Sequence, residues 1–537
     1  MSNFRQRLSA MTSSKKAALL TGILRGIEKE SLRINGDGEL SQQRHPQALG
    51  SALTHPRITT DYSEALLEFI TEPLGDVKEL LAQLDEVHRY TYANIDNESL
   101  WVSSMPCMLG DDDEIPVGLY GTSNTGKMKT AYRLGLGQRY GRKMQAIAGI
   151  HYNFSLPDEF WANLHEEEKS TLSLQDFKTQ RYFSLIRNFR RYFWILVYLF
   201  GAAPAVCKSF VRGQEHSLVP YGNDTHSLHM PEGTSLRMGN LGYQSAAQEK
   251  LIVCYNNLDT YIRTLCKAIT EEHPTYAEIG SKDEEGKHQQ LNTSLLQIEN
   301  EFYSSIRPKR TTKPGETALN ALASRGVEYI EVRCIDLNPY APLGITEEQI
   351  HFLDSFLMYC VYKDSPETDE LDFRNVLENQ TRIVNQGRDP ELSLLNGNSE
   401  RKMTEWATEI LNDMEATSAL LDTVYETKQY KQSLDAQRIK LEDPGQTPSA
   451  QILADMKSQD ISFFRLAMNL ADQHKAYFTD RPLDAEKTAE FVTMAAESHS
   501  KQRELEAVEE IGFDQFLANY YEQYRCCSGK SPQILTE

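Results

Sequence analysis

Acidic residues set two apart inside strand-patterned runs constrain this 537-residue chain more than any other feature. In GIEKESLRI, Glu28 and Glu30 project from one face of a strand, and in EYIEVR so do Glu331 and Arg333. Neighbouring like charges on a sheet face repel and add no stability unless the face is exposed. In a sheet interior they need a cation. The run ITTDYSEALLEFIT adds Asp61, Glu64 and Glu68, with Glu68 inside LLEFI, where a bare carboxylate is costly. Asp61-x-x-Glu64 also fits a helix capping box, and for that pair alone the capping box is the favoured reading. For Glu68 and Glu331, each within an apolar β-rich run, a ligand or ion-pair role is favoured over a solvated one. Magnesium suits such a set, because hard cations take carboxylate oxygens and leave positions for substrate phosphates.

Further strand-like runs, MQAIAGIHYNFSLP and GVEYIEVRCIDLNP, also fall in the first two-thirds, separated by helical patterns over 76–94, 180–200 and 244–270. From about residue 345 the pattern is almost wholly helical, broken by polar stretches at 365–372 and 442–449. The expected fold class is α+β, with strands supplying the site and helices covering the sheet. The longest apolar run, YFWILVYLFGAAPAVC at 192–207, is too short for a membrane span and is interrupted by Gly201 and Pro204, so a buried core helix and its exit are expected. Residues 211–233 carry His216, His226 and His229 without metal spacing among Gly, Pro, Asn and Asp, and read as a loop. The first 22 residues hold Arg5, Arg7, Lys15 and Lys16 with no acid; a mature N-terminal helix is favoured over a targeting segment.

Two glycine motifs mislead. GTSNTGK at 121–127 fits G-x-x-x-x-G-K, but Met128 stands where Ser or Thr must hold magnesium, and the preceding EIPVGLY is no clear buried strand. GLGQRY from Gly135 lacks the third glycine and the strand-turn-helix setting of a dinucleotide fingerprint. His151 in GIHYNFSLP reads on its own as a hydrogen-bonded core histidine, and Arg307, Lys309 and Arg310 in IRPKR as a local site for phosphate or carboxylate. Lys and Arg number 56 against 77 Asp and Glu, a net charge of −21 that argues against nucleic-acid and anionic-membrane partners and is compatible with a metal-bound nucleotide. The eight cysteines show no C-x-x-C and no metal spacing, and read as thiols of a reducing cytosol.

The strings RGIEKESLRI, LGSALTHPRITTDYSEALLEFIT, YGTSNTGKMKTAYRLGLGQRYG, GIHYNFSLP, LQIENEFYSSIRPKR and GVEYIEVRCIDLNP stand in the order found in proteobacterial-type glutamate–cysteine ligases, which the chain resembles closely over 23–353. The resemblance is looser to about residue 518, where DPGQTPSAQIL is its anchor. It implies a glutamine synthetase-like, curved, mainly antiparallel sheet: a catalytic core over 1–353, a helical extension over 354–520 and a frayed tail over 521–537. It implies ATP-dependent joining of L-cysteine to the γ-carboxylate of L-glutamate through a γ-glutamyl phosphate, with Mg²⁺ or Mn²⁺, in the cytoplasm. It further implies a monomer, inhibited by glutathione, with no nucleic-acid or membrane partner. The rival readings are a γ-glutamyl ligase for another amine and a non-catalytic nucleotide-binding relative; a bifunctional form is disfavoured by the lack of room after about residue 520.

Residue by residue, the resemblance implies metal ligands at Glu28, Glu30, Asp61, Glu68 and Glu331, and a phosphoryl-stabilising Arg333. It implies a cysteine pocket of Tyr62, Tyr132, Leu136, Gln145, Tyr243 and Tyr303, with Tyr62 where phenylalanine is expected. Arg133, His151 and Arg237 are its candidates for gripping substrate carboxylates or phosphate.

Overall fold

A computed structural model describes residues 14–106, 108–222, 224–242, 251–508 and 511–524, together with Phe4, Arg7, Leu8, Met11 and Gln248. Nearly all of the tail expected to fray lies outside the described residues. The alternating runs become strands, which in chain order are β1 (Leu24–Ile34), β2 (Ile58–Thr60), β3 (Leu66–Ile70), β4 (Ser99–Leu100), β5 (Ile150–Ser155), β6 (Ala205–Cys207), β7 (Val219–Tyr221), β8 (Asp224–His229), β9 (Ile306–Lys309) and β10 (Tyr329–Ile335). The large antiparallel sheet runs in the order β2-β3-β1-β5-β10-β9, with β4 paired to the end of β1. Strands β6, β7 and β8 form a separate three-stranded sheet. Non-consecutive neighbours in the large sheet mean that residues far apart in sequence share one surface.

The period-2 rule gives that sheet two unlike faces. One carries Glu28, Glu30, Glu68, His151, Asn153 and Glu331, because Glu28 pairs with His151, Glu30 with Glu68, and Glu331 with Asn153 and Arg307. The other carries Ile27, Phe69, Tyr152 and Val332, all buried beneath helices. Helix Val77–Tyr92 and the wholly buried part of helix Glu347–Tyr362 supply much of that cover. A buried polar network ties sheet to helix: Arg25 Nε donates to Asp354 at 2.8 Å, and the Tyr152 hydroxyl donates to the same carboxylate at 2.7 Å. Tyr430, from helix Gln429–Glu442, adds a third donor at 3.3 Å. One continuous apolar core runs from Phe4 to Tyr524, and helix Glu347–Tyr362 crosses position 353/354 without interruption.

Several helix expectations hold with identifiable reasons. Asp76 caps the helix Val77–Tyr92 by accepting from the amides of Lys78 and Glu79. The apolar run at 192–207 forms the wholly buried helix Trp194–Phe200, and its exit is the strand β6. Among the described residues no helix is long and apolar enough to cross a membrane. The five described cysteines are free thiols. Phe4, Leu8 and Met11 are helical and buried, as expected for an N-terminal helix.

Three expectations change. Residues 211–233 are not a bare loop: β7 and β8 pair across Val219–His229, and β8 pairs with β6. Flanking glycines and prolines hide the Thr-His-Ser-Leu-His alternation. Of the helix expected over 244–270, residues 251–257 are not helical, and the helix runs over Leu258–Thr270, where Asn257 caps it. Asp61 and Glu64 form no capping box. They sit in the turn between β2 and β3, where the Glu64 carboxylate accepts from the amides of His45 at 2.6 Å and Leu119 at 2.7 Å.

Candidate active site

The acidic face of the large sheet is where charge concentrates. His151 stands at its centre: its Nδ1 lies 3.2 Å from Glu28 and 3.9 Å from Glu331, and its Nε2 3.8 Å from Glu30. One ligand atom each of Glu28, His151 and Glu331 fall within 4.8 Å of one another, the single such group among the described residues. Glu30, Asp61 and Glu68 form a second group, in electrostatic reach of each other and not this close. Arg333 Nη1 reaches Glu331 at 3.2 Å and His151 at 3.4 Å, so the expected shared face of Glu331 and Arg333 is present.

Register and burial set the electrostatics. Desolvation, then repulsion from Asp61, drives the Glu30 carboxyl up to about 8, although Arg237, Arg333 and the Gly149 amide pull the other way. Desolvation and the neighbouring Glu28, Asp61 and Glu30 push Glu68 well above the carboxylate range. Desolvation also opposes ionisation of Glu331, but Lys309 at 3.1 Å, Arg333, His151 and Arg307 hold it well below that range. Desolvation opposes ionisation of Glu28 as well, yet the His151 hydrogen bond and the nearby cations leave it lowered. Desolvation and then Arg333 lower the imidazole of His151, leaving it neutral and able to act as a donor to a cation. Glu30 and Glu68 thus carry more burial and repulsion than the chain's own cations offset. A set of hard oxygen donors and one neutral imidazole in that condition fits a divalent cation.

Beside this face lies a small cavity of about 90 Å³. Helix Asn124–Tyr140 contributes Tyr132, Arg133 and Leu136 to its wall, joined by Tyr62, Gln145 and Tyr303, and the acidic face supplies Glu30, Asp61 and Arg333. Gln145 Nε2 donates to the Tyr303 hydroxyl at 3.1 Å, which fixes both side chains. The Tyr62 hydroxyl does not point into open space: a Cβ on Gly137 would meet it at 2.4 Å, so glycine is required there. That hydroxyl is buried and has no hydrogen-bond partner among the described residues. Gly135 likewise makes room for Gln297, so the apparent dinucleotide fingerprint is a mid-helix packing surface. The phosphate-loop match also dissolves, since Ser123 there caps the helix by accepting from the Gly126 amide.

Of the candidate site residues, the structure brings Glu28, Glu30, Asp61, Glu68, Glu331, Arg333 and His151 to one face, and Tyr62, Tyr132, Leu136, Gln145 and Tyr303 to the adjoining cavity. Tyr243 lies outside the described residues. Arg133 lines the cavity, but its guanidinium donates to the carbonyls of Asp61, Lys129 (2.9 Å) and Thr60 (3.4 Å). Arg237 is wholly buried, donating to the Arg333 carbonyl at 2.8 Å and standing 3.6 Å from Asp336. A Cβ on Gly149 would meet it at 2.1 Å, which is why that position, whose amide also donates to Glu30 at 2.7 Å, has no side chain. Sequence reasoning missed Glu301, which also lines the cavity: buried, it accepts from Arg139 (3.0 Å), the Tyr140 hydroxyl (2.8 Å) and the Gln297 amide (2.6 Å). The i, i+2 acids Glu299 and Glu301 in IENEF fall in a short 3₁₀ helix, so the strand-face argument that marked Glu28 and Glu30 does not reach them. A larger cavity, about 1690 Å³, opens elsewhere, around Arg33, Glu98 and Arg212 beyond the end of β1.

Buried carboxylates suited to a hard cation, an arginine beside them and a small adjoining cavity are compatible with activation of a carboxylate by phosphoryl transfer. The class of protein with which this fold and site agree is the ATP-dependent carboxylate–amine ligases, and the relatives of the chain establish it. The family model described as Glutamate-cysteine ligase matches residues 8–383. Glutamate–cysteine ligase of Saccharophagus degradans is 53% identical over 97% of this chain and 98% of its own length, and that of Alcanivorax borkumensis 49% over 97% and 100%. The crystal structure of glutamate–cysteine ligase from Francisella tularensis in complex with AMP superposes with a TM-score of 0.88 at 34% identity, covering 94% of this chain and 98% of that one. A bifunctional glutathione synthetase from Pasteurella multocida shares the fold, with a TM-score of 0.71 at 22% identity over 91% of this chain and 58% of its own. The chain belongs to the glutamate–cysteine ligase family. It is an ATP-dependent ligase that forms γ-glutamylcysteine, the first step of glutathione biosynthesis.

Proposed function

We propose that the acidic sheet face is where this ligase binds Mg²⁺ and activates glutamate, and that the adjoining cavity holds the cysteine side chain. The observation that carries this reading is the convergence of five carboxylates from β1, β3, β10 and the β2–β3 turn around His151 and Arg333. Glu28, Glu331 and His151 would hold one ion and Glu30, Asp61 and Glu68 another; Mn²⁺ suits the same donors. Bound there, a divalent cation would neutralise the phosphates of ATP and spread the charge of the transferring γ-phosphoryl group. Arg333, beside Glu331, is placed to stabilise that charge on the phosphoryl oxygens. Lys309, 3.1 Å from Glu331, holds this carboxylate ionised.

A carboxylate is a poor acyl donor, so its γ-oxygen first takes the phosphoryl group. The neutral amine of cysteine then attacks the acyl phosphate and phosphate leaves. Tyr62, Tyr132, Leu136, Gln145 and Tyr303 position the acceptor for this attack, and the layer of Glu301, Arg139 and Gln297 keeps that wall rigid. The helices beyond residue 353 belong to the same working unit as the core 1–353, since the Arg25–Asp354 pair and the shared apolar core join them. Glutathione, the end product of the pathway and carrying the same γ-glutamylcysteine, would compete for this site, and one chain contains every residue named here, as a monomeric enzyme requires.

The test is ADP release. It should require glutamate and cysteine together, and Glu68→Gln or Glu331→Gln should lower kcat by at least about a thousandfold while the circular dichroism spectrum is kept. Full activity in either variant, or ADP release without both amino acids, refutes the assignment.

A further inference from the structure

Lys29 stands between Glu28 and Glu30 on β1 and therefore points to the opposite face of the sheet, away from the proposed metals. It is buried there, where helices Val77–Tyr92 and Phe463–Thr479 bring His88, Tyr92 and His474 to the same small cavity. Its Nζ lies 2.6 Å from His88 Nε2. The other nitrogen of that ring, Nδ1, lies 2.7 Å from the Leu84 carbonyl, which can only accept, so Nδ1 carries the proton and Nε2 accepts from Lys29. Phe69 and Phe478 hold the ring in this pose, with centroids 4.6 and 5.0 Å away. The remaining N–H groups of Lys29 have no acceptor among the described residues.

Among the described residues, the walls of this cavity hold bases and no acid. Burial alone lowers the Lys29 ammonium to about 7, with no carboxylate pulling the other way. Burial, then Lys29, keeps His88 well below its ordinary range and lowers His474 to about 4, so both rings are neutral. Asp472, exposed on the same helix as His474, acts on Tyr92 and not on Lys29. The Tyr92 hydroxyl accepts from the Leu100 amide at 3.3 Å, and its own proton has no acceptor among the described residues. Gly344 closes another side, where a Cβ would stand 3.0 Å from Lys29 Cε. A water in this space would satisfy hydrogen bonds and leave the buried charge unmatched, whereas an anion satisfies both. We propose that this pocket binds a single halide ion, chloride being the abundant one, with Lys29 as its counter-charge and Tyr92 and His474 as further donors. A cavity of about 10 Å³ has room for a monatomic ion and not for phosphate, sulfate or a carboxylate.

The experiment follows the Tm of the full-length enzyme, in chelator, as chloride or bromide replaces gluconate at constant ionic strength. The parent should gain about 1 to 3 °C, saturably and with either halide. Lys29→Met should lose that gain. If Lys29→Met folds poorly, Tyr92→Phe serves in the same assay: with one donor fewer, it should need several-fold more halide for half of the gain. Crystals grown with bromide as the sole halide should show an anomalous peak beside Lys29 Nζ. A Tm indifferent to the exchange, a halide response that either variant leaves unaltered, or water alone beside Lys29 in the bromide-grown crystals overturns the proposal. A bromide peak without a Tm response marks an adventitious ion only and overturns it equally.

Discussion

Glu30 offers the sharpest test of the electrostatics, because its cost can be titrated. The carboxyl is buried, pairs across the strands with Glu68 and is driven up to about 8 from an ordinary 4.5. With the folded pKa raised, the folded state holds a proton that the unfolded state has released, so stability falls as pH rises from 4.5 to 8. Without metal, the penalty relative to Glu30→Gln is about 1 kcal/mol at pH 5 and about 3 kcal/mol at pH 7. The carboxamide oxygen in the Glu30→Gln variant can still accept from the Gly149 amide, which lies 2.7 Å from the native carboxylate, so packing is retained. The assay is urea unfolding of both proteins in chelator across pH 5 to 8. The variant should gain about 3 to 4 kcal/mol on the parent over that range, roughly 3 °C in Tm for a chain of this size. Millimolar Mg²⁺ should close the gap by favouring the ionised carboxylate in the parent. Parallel pH profiles would refute the argument, showing that Glu30 is not held against its charge. A gap unchanged by Mg²⁺ would refute the metal assignment of this residue alone.

The other predictions concern groups away from the metal face. Tyr62→Phe removes a buried hydroxyl that has no partner among the described residues, so it should raise stability by about 1 kcal/mol in thermal or urea unfolding, with no change in KM for cysteine. Asp354→Asn leaves buried Arg25 uncompensated and should cost about 3 to 5 kcal/mol by urea unfolding, with the KM values of whatever remains folded unchanged. Tyr521→Phe deletes a hydroxyl that donates to the Gln297 carbonyl at 2.8 Å; because Gln297 Nε2 in turn donates to the Tyr132 carbonyl, steady-state kinetics should show a raised KM for cysteine with that for ATP unmoved.

Much of the site was legible in the sequence because strand periodicity is local. Two residues apart on a strand means one face, so Glu28 with Glu30 and Glu331 with Arg333 needed no tertiary information. The apolar setting of Glu68 marked it for the same reason. Patterns that depend on a distant partner misled. Asp61 and Glu64 have capping-box spacing, but whether that spacing caps a helix or turns a hairpin depends on β2 and β3 pairing. The strands in 211–233 were hidden because β8 is stabilised by β6, a chain segment with its own apolar signal.

What the sequence determined by itself, then, is which faces carry charge, where helices begin, and, through long shared strings, the family. Tertiary structure alone decided that β1 lies between β3 and β5, which seats Glu68 opposite Glu30 and His151 opposite Glu28. It also decided that Arg133 spends its donors on carbonyls while Lys129 lays its ammonium over the Tyr120 ring. The physical reason is range. Side-chain direction follows from a residue's own backbone, whereas burial, pKa and hydrogen-bond partners belong to neighbours that only the folded chain brings within a few ångströms.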